Sequence, residues 1–497
     1  MLMLIQISFI FFLTLIIFFN IFSMTNNILL LDIYPYLIFF ALAFLILLGV
    51  IALTKSIFVA YLFKGLALFL ILFFIFNTYN IITNKDRLWG NSQESREYLD
   101  QLIKVSGIDL EEFEGGKKGV SKLIQKRANF YPTYGNKVTL IEEEENVFDD
   151  IFEAISNAKD SIHLEFYIIR DDRIGKRLKS LLIDKVNEGV EVRVIYDSLG
   201  SHNLKSEYKK KLKAAGVQLK AFNPPLKALL KGSLNYRNHR KLVIVDGETA
   251  FIGDANIGDE FVESLENIPF KKSLQLKIEG LAVNWMQKVF LMDWYFITGE
   301  KLDDKKYFYS GEELGEAKVQ IVPSGYQRDG NIMNETYFSL INEAQERIYI
   351  TTPYLILKDG IIQSLRLASL RGIEVNLIVS KNTDLFLFDW SNRSNFGPLL
   401  EAGVDIYKYE NGLLHAKALV IDDSISSIGS TNFNSRSQFL DYEVNVIVFD
   451  KDLSKHIDEF LEELKEKSSK LTLEEYKSSS VLVKIKEKIG RIIIPLI

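Results

Sequence analysis

The chain has 497 residues, of which 48% are apolar and 25% charged, with a formal net charge of -6 and no cysteine. That length exceeds one ordinary domain, so two or three units are expected. The lack of Cys excludes disulfides and thiolate metal sites, and the acidic balance argues against a general nucleic-acid binder, which would present a basic footprint.

Residues 1–82 carry only Asp32, Lys55 and Lys64 as charged groups, set among apolar stretches at about 1–22, 33–54 and 57–82. Each stretch approaches the ~20 residues that a helix needs to cross a hydrocarbon core. The first lacks a basic leader and a small-residue cleavage site, so residues 1–83 are expected to be a transmembrane region of two or three helices and not a cleaved signal peptide. Basic residues flank the last span on both sides (Lys55 and Lys64, then Lys85, Arg87 and Arg96), and the positive-inside rule therefore selects no membrane face. Residues 84–131 are polar and charged and read as a connector with some helix.

From residue 132 the sequence repeats itself. Ala158–Tyr167 resembles Ala344–Pro353, Gly189-Val190-Glu191-Val192 resembles Gly372-Ile373-Glu374-Val375, and Ala215-Gly216-Val217 resembles Ala402-Gly403-Val404. A nearly steady offset, 372 - 189 = 183 here, indicates two copies of one unit. Helix-period segments alternate with β-rich runs in each copy, as in 148–158 before Ile162-His163-Leu164 and 176–187 before 190–196. That alternation predicts sheets covered by helices. The lobes are expected at 132–310 and 311–452, followed by a helical, basic amphipathic tail at 453–497. Its end, Val481–Ile497, mixes Lys484, Lys486, Lys488 and Arg491 with Val, Ile and Leu. Such a segment suits either an anionic bilayer surface or packing on the domain.

Each copy carries one polar pattern: His239-Arg240-Lys241, four apolar residues and Asp246, then His415-Ala416-Lys417, four apolar residues and Asp422. The two His are 415 - 239 = 176 positions apart. The apolar runs read as buried strands, on which residues i and i+2 share a face. The imidazole and the ammonium should therefore project together near the strand start, while the Asp closes the far end at a turn. A His beside a fixed cation suits chemistry on a phosphate ester, since Lys can hold the non-bridging oxygens as charge is redistributed. Seven residues after each Asp come Gly253-Asp254-Ala255-Asn256 and Gly429-Ser430-Thr431-Asn432, where Gly permits close backbone approach and Asn offers an amide donor. His163, His202 and His456 share none of these features and are expected to be structural.

The doubled pattern resembles the phospholipase D superfamily with its repeated His-Lys-Asp motif. Within it the chain is similar to the bacterial cardiolipin synthases, on Ile162-His163-Leu164-Glu165-Phe166-Tyr167, Thr352-Pro353-Tyr354, Asn434-Ser435-Arg436-Ser437 and Asp441-Tyr442-Glu443, over roughly residues 132–450. The resemblance implies an α/β fold: a duplicated domain of two mixed sheets flanked by helices, packed about a pseudo-twofold axis behind N-terminal transmembrane helices, with one composite site. It also implies phosphatidyl transfer between two phosphatidylglycerol molecules through a phosphatidyl-His intermediate, at the cell membrane, with no cofactor, metal or nucleic acid. His239, Lys241, Asp246, His415, Lys417 and Asp422 are the implied catalytic set. Asn256, Ser430, Asn432 and Glu443 would bind phosphate or support the site, with Glu443 beside His415 and His239 as the nucleophile.

The first copy departs from the family pattern. Asp254 stands where a second Gly is usual, and Ser273 stands where an Asp is usual. Asp254 either substitutes for the missing acid or marks a first half that has drifted. The motifs leave the acceptor open, so a membrane-bound phospholipase D using water, or a transferase using another alcohol, is the alternative. A nucleic-acid phosphodiesterase and a non-catalytic scaffold are less consistent with the apolar N-terminus and two intact motifs.

Overall fold

The computed structural model describes residues 93–106, 118–141, 147–231, 233–266, 269–325, 331–381, 383 and 386–493. The expected transmembrane region 1–83 lies outside them. Among the described residues no helix is long and apolar enough to cross a membrane. Both lobes lie in one compact unit of 90–224 and 236–495, while the helix Pro225–Lys231 falls in a second unit.

The first lobe contains β1 (Thr133–Ile141), β2 (Ser161–Phe166), β3 (Glu191–Asp197), β4 (Gln218–Phe222), β5 (Lys241–Val245), β6 (Thr249–Gly253), the two-residue β7 (Lys271–Lys272) and β8 (Gln275–Glu279). The second contains β9 (Ala317–Pro323), β10 (Arg347–Thr352), β11 (Glu374–Ser380), β12 (Asp405–Tyr409), the two-residue β13 (Leu413–Leu414), β14 (Ala418–Ile421), β15 (Ile425–Gly429) and β16 (Val444–Phe449), with β17 (Ser468–Leu471) at its edge. In the first lobe the order is β4-β3-β2-β5-β6-β8-β1, and the second repeats it as β12-β11-β10-β14-β15-β16-β9. Each is parallel through its first three strands and antiparallel beyond. The expected duplication is therefore present. The expectation of two separate sheets is corrected, because β1 pairs antiparallel with β9 and joins the halves into one 15-stranded sheet.

Strand β2 explains how the layers form. Ile162, Leu164 and Phe166 face a core shared with the helices Asp149–Asn157 and Arg173–Asn187, whose Ile174, Leu178 and Leu182 recur at helical spacing. The alternate residue His163 is paired with Gln287 and stacked on Phe290 at 4.5 Å, both on the helix Ala282–Thr298. That helix is buried along most of its length, and Lys451–Glu466 follows β16 as it follows β8. Burial holds His163 neutral, with a pKa lowered to about 3, in keeping with a structural role. The segment expected as a connector holds two helices, Gln93–Val105 and Lys118–Ala128. The Tyr98 hydroxyl donates to the Leu302 carbonyl at 2.8 Å, and Arg127 pairs with Glu335 at 2.7 Å.

Candidate active site

The two motif strands, β5 and β14, occupy the same place in their half-sheets, and each His lies just before its strand. Two short cross-lobe ribbons bring these strand starts together. Leu413-Leu414 pairs in parallel with Lys271-Lys272, and Asn238 bridges Tyr442 in the same sense. His239 N–H donates to the Tyr442 carbonyl at 2.9 Å, and His415 N–H donates to the Lys272 carbonyl at 2.8 Å. Each motif backbone is thus pinned by the other lobe.

The side chains cross over in the same way. His239 Nδ1 lies 3.0 Å from both carboxylate oxygens of Glu443. His415 Nδ1 lies 3.4 Å from Asp254 Oδ1, while Asp254 Oδ2 accepts from the N–H groups of Lys417 at 3.1 Å and Leu274 at 3.2 Å. Both carboxylates are fully buried, and the imidazoles are 13% and 9% exposed. Lys241 bonds the carbonyl of His239, and Lys417 bonds that of His415 at 2.7 Å, which holds each ammonium beside its own imidazole. Tyr167 meets His239 edge-on at 5.0 Å, and Phe261 does the same to His415 at 5.2 Å.

Burial dominates the electrostatics. It lowers His239 to about 4 and His415 well below the usual imidazole value, and neighbouring lysines add to both shifts. Lys417 acts on His239 and Lys241 acts on His415, so the four groups share one field. Burial also brings Lys241 down to about 7 and raises Asp254 to about 7. Burial acts to raise Glu443 too, but His239, Lys241 and a hydrogen bond from Ser430 outweigh it and hold this carboxylate below its usual value.

The structure revises several expectations. Glu443 serves His239, not His415, because the interface turns each lobe's acid toward the other lobe's imidazole. Asp246 and Asp422, expected in the catalytic set, lie beyond the far ends of β5 and β14. Asp246 accepts from the N–H groups of Lys159, Asp160 and Ser161, and Asp422 from those of Gln345, Glu346 and Arg347. Both adopt positive φ, 55° and 48°, in the tight turns that begin the β5–β6 and β14–β15 hairpins. Their carboxylates hold turns and the starts of β2 and β10, away from the imidazoles. Asn256 Oδ1 accepts from Ile168 N–H at 3.0 Å, leaving its NH2 as the end that can donate. Asn432 Nδ2 contacts Ser437 Oγ at 3.4 Å, while its buried Oδ1 has no partner among the described residues. Gly253 and Gly429 do provide close approach: an added Cβ would lie 2.4 Å from Leu274 O and 2.3 Å from Val444 O.

Sequence reasoning missed a supporting network. Arg240, the middle residue of the first motif, donates to the carbonyls of Glu443 at 3.1 Å and Ser324 at 2.7 Å and pairs with buried Asp293. Asn238 bonds Glu165 and receives the Arg240 N–H at 3.1 Å. The position of Arg240 inside the motif was the available signal; Asp293, on a distant helix, carried none.

Two buried imidazoles, each backed by a carboxylate of the opposite lobe and flanked by a lysine, define a phosphoryl-transfer centre of the phospholipase D type, built from a duplicated domain. A family model described as "Cardiolipin synthase, PLD-like domain" matches residues 151–294 and 337–465. A cardiolipin synthase of Geobacillus kaustophilus is 36% identical over 365 residues, 73% of this chain and 72% of that protein. One from Clostridium perfringens is 38% identical over 371 residues, covering 73% and 78%, and cardiolipin synthase 2 of Staphylococcus epidermidis is 33% identical over 425 residues, covering 83% and 87%. The chain belongs to the cardiolipin synthase family of phospholipase D-like phosphatidyltransferases. Among solved structures, phosphatidylserine synthase of Haemophilus influenzae shares the fold, with a TM-score of 0.57 at 16% identity over 76% of this chain and 97% of that one.

Proposed function

We propose that the chain makes cardiolipin by double displacement, with phosphatidylglycerol as both donor and acceptor. The observation that carries this reading is the crossed pairing of two buried imidazoles with Glu443 and Asp254. With Nδ1 of His239 committed to ionised Glu443, Nε2 is the nitrogen left to attack phosphorus. The anionic diester raises the proton affinity of the buried imidazoles as it enters, and His415 takes up the proton that it gives to the leaving glycerol oxygen. The phosphorus–glycerol bond breaks as the phosphorus–His239 bond forms. A hydroxyl of the second phosphatidylglycerol then loses its proton to His415 and displaces His239, which restores the enzyme. Lys241, Lys417 and the amides of Asn256 and Asn432 hold the non-bridging oxygens.

This chemistry is proposed to take place at a multi-pass site on the cell membrane. The helix Val481–Ile493 supports a surface location. Its inner face carries Gly490, pressed on Trp390, and Glu487, bonded to Arg393 at 2.9 Å. Its outer face leaves Val481 76% and Leu482 62% exposed, together with Ile485 and Ile489. At about 100° per residue these four form one stripe, with Lys484 and Lys488 along one side and Lys486 along the other. An apolar stripe flanked by lysines matches an anionic bilayer surface.

The test supplies purified protein with phosphatidylglycerol alone in mixed micelles and identifies products by mass. Cardiolipin and glycerol in equal yield support the reading, whereas phosphatidic acid as the main product assigns water as the acceptor.

A further inference from the structure

The internal symmetry of the molecule can be traced residue by residue around the two acids. Gly253 pairs with Gln275, and Gly429 pairs with Asn445. Stepping one residue along each strand, Asp254 N–H donates to the Leu274 carbonyl at 3.3 Å and Ser430 N–H to the Val444 carbonyl at 3.0 Å. The reverse contacts also match, because Leu274 N–H donates to Asp254 Oδ2 at 3.2 Å and Val444 N–H donates to Ser430 Oγ at 3.0 Å. Asp254 therefore corresponds to Ser430, and Ser273 corresponds to Glu443. The cross-lobe bonds confirm the match independently, since the carbonyls of Lys272 and Tyr442, one residue earlier, receive the N–H groups of His415 and His239.

One lobe thus has serine at the first position and an acid at the second, while the other has the acid first and serine second. All four residues are buried. In the second lobe the two positions touch, with Ser430 hydrogen-bonded to the Glu443 carboxylate. The positions are close enough that a carboxylate standing on either can reach the facing imidazole.

We propose that Asp254 and Ser273 have exchanged the acid and serine roles held by Glu443 and Ser430, making Asp254 the positioning residue for His415. Ser273 occupies the backbone site from which an acid would otherwise reach that imidazole. The inference rests on the two-histidine reading above and goes beyond it by assigning this role within the first lobe. It makes the location of the acid transferable: moving it back to position 273 should preserve the mechanism, whereas removing it from position 254 alone should not.

Asp254 also accepts two backbone N–H groups, so a loss in one variant could be structural. Asp254→Asn keeps an oxygen for Leu274 and Lys417 but removes the negative charge. Four variants, H415A, D254N, D254S and D254S/S273E, are compared by thermal unfolding and by kcat and KM on phosphatidylglycerol in mixed micelles. The inference expects D254N and D254S to unfold near the wild-type temperature with kcat lower by about 10² to 10⁴-fold, as for loss of the acid behind a catalytic imidazole, and with KM little changed. The double variant should recover kcat to within about tenfold of wild type. D254N at wild-type kcat, or a folded double variant no more active than D254S, overturns the exchange while H415A stays inactive. An active H415A overturns the two-histidine reading and the exchange with it.

Discussion

Glu443 grips His239 from the opposite lobe, with both carboxylate oxygens 3.0 Å from Nδ1. Arg240, next to that histidine, in turn holds the backbone carbonyl of Glu443. Side chain and main chain are therefore locked in opposite directions across one interface, and His239 is oriented before any lipid arrives.

Glu443→Gln should preserve the packing and lower kcat by about 10² to 10⁴-fold, as seen when the acid behind a catalytic imidazole is neutralised. Quenching wild-type enzyme with labelled phosphatidylglycerol should trap an acid-labile, base-stable phosphoryl adduct on His239. An adduct on His415 would reverse the assignment, and full activity in His239→Ala would remove it.

The pH dependence is expected to follow from two groups beside the imidazoles, Asp254 and Lys241, that are both brought to about 7. Asp254, raised to about 7, is charged above that value and loses its hold on His415 as pH falls through it. Lys241, lowered to about 7, is cationic below that value and loses its charge as pH rises through it. His239, near 4, contributes nothing to the acid limb until far lower pH. A narrow bell in kcat/KM centred near 7 is expected, with limbs that belong to the coupled cluster. The alkaline limb should move upward in kcat, because bound phosphate stabilises the Lys241 cation. A flat kcat/KM profile to pH 9 would contradict the role given to Lys241.

Asp246→Ala and Asp422→Ala are expected to act on stability. Each removes an acceptor for three backbone N–H groups, costing about 1–2 kcal/mol. Thermal unfolding should fall, while kcat at low temperature should stay within a factor of about three for the folded protein. A loss above a hundredfold with unchanged unfolding would return these carboxylates to the chemistry.

Ile485→Glu with Ile489→Glu should weaken binding to anionic vesicles and lower turnover there, leaving turnover in mixed micelles unchanged. Removing residues 1–83 should impair action on vesicles more than on micelles, where substrate diffuses to the enzyme. Equal loss in both would make those residues a folding requirement.

Turnover is expected to survive EDTA, because the proposed mechanism draws the positive charge at phosphorus from Lys241 and Lys417. Loss of activity restored by one particular divalent ion would show otherwise.

The duplicated fold was legible because the repeat kept its glycines and apolar runs in step, and β5 and β14 were legible because each is a short apolar run behind a His-x-Lys triplet. Pairing across the lobes was not. The family resemblance placed Glu443 beside His415, but the short cross-lobe pairings that turn it toward His239 have too few residues for a periodicity. The join between β1 and β9 was equally hidden, since edge pairing depends on backbone groups that every residue has. The departure at Asp254 and Ser273 was visible as an anomaly, and its geometry emerged once the register of β6 against β8 was known.

An unbroken sheet also limits how the enzyme can breathe. Parting the halves would cost the β1–β9 ladder, the 271–272/413–414 ribbon and both imidazole–carboxylate bonds together, so a clamshell motion would dismantle the reactive centre. Under the proposed double displacement, glycerol would leave while the halves stay joined, and the phosphatidyl-His239 bond would hold the half-finished product until the second lipid arrives.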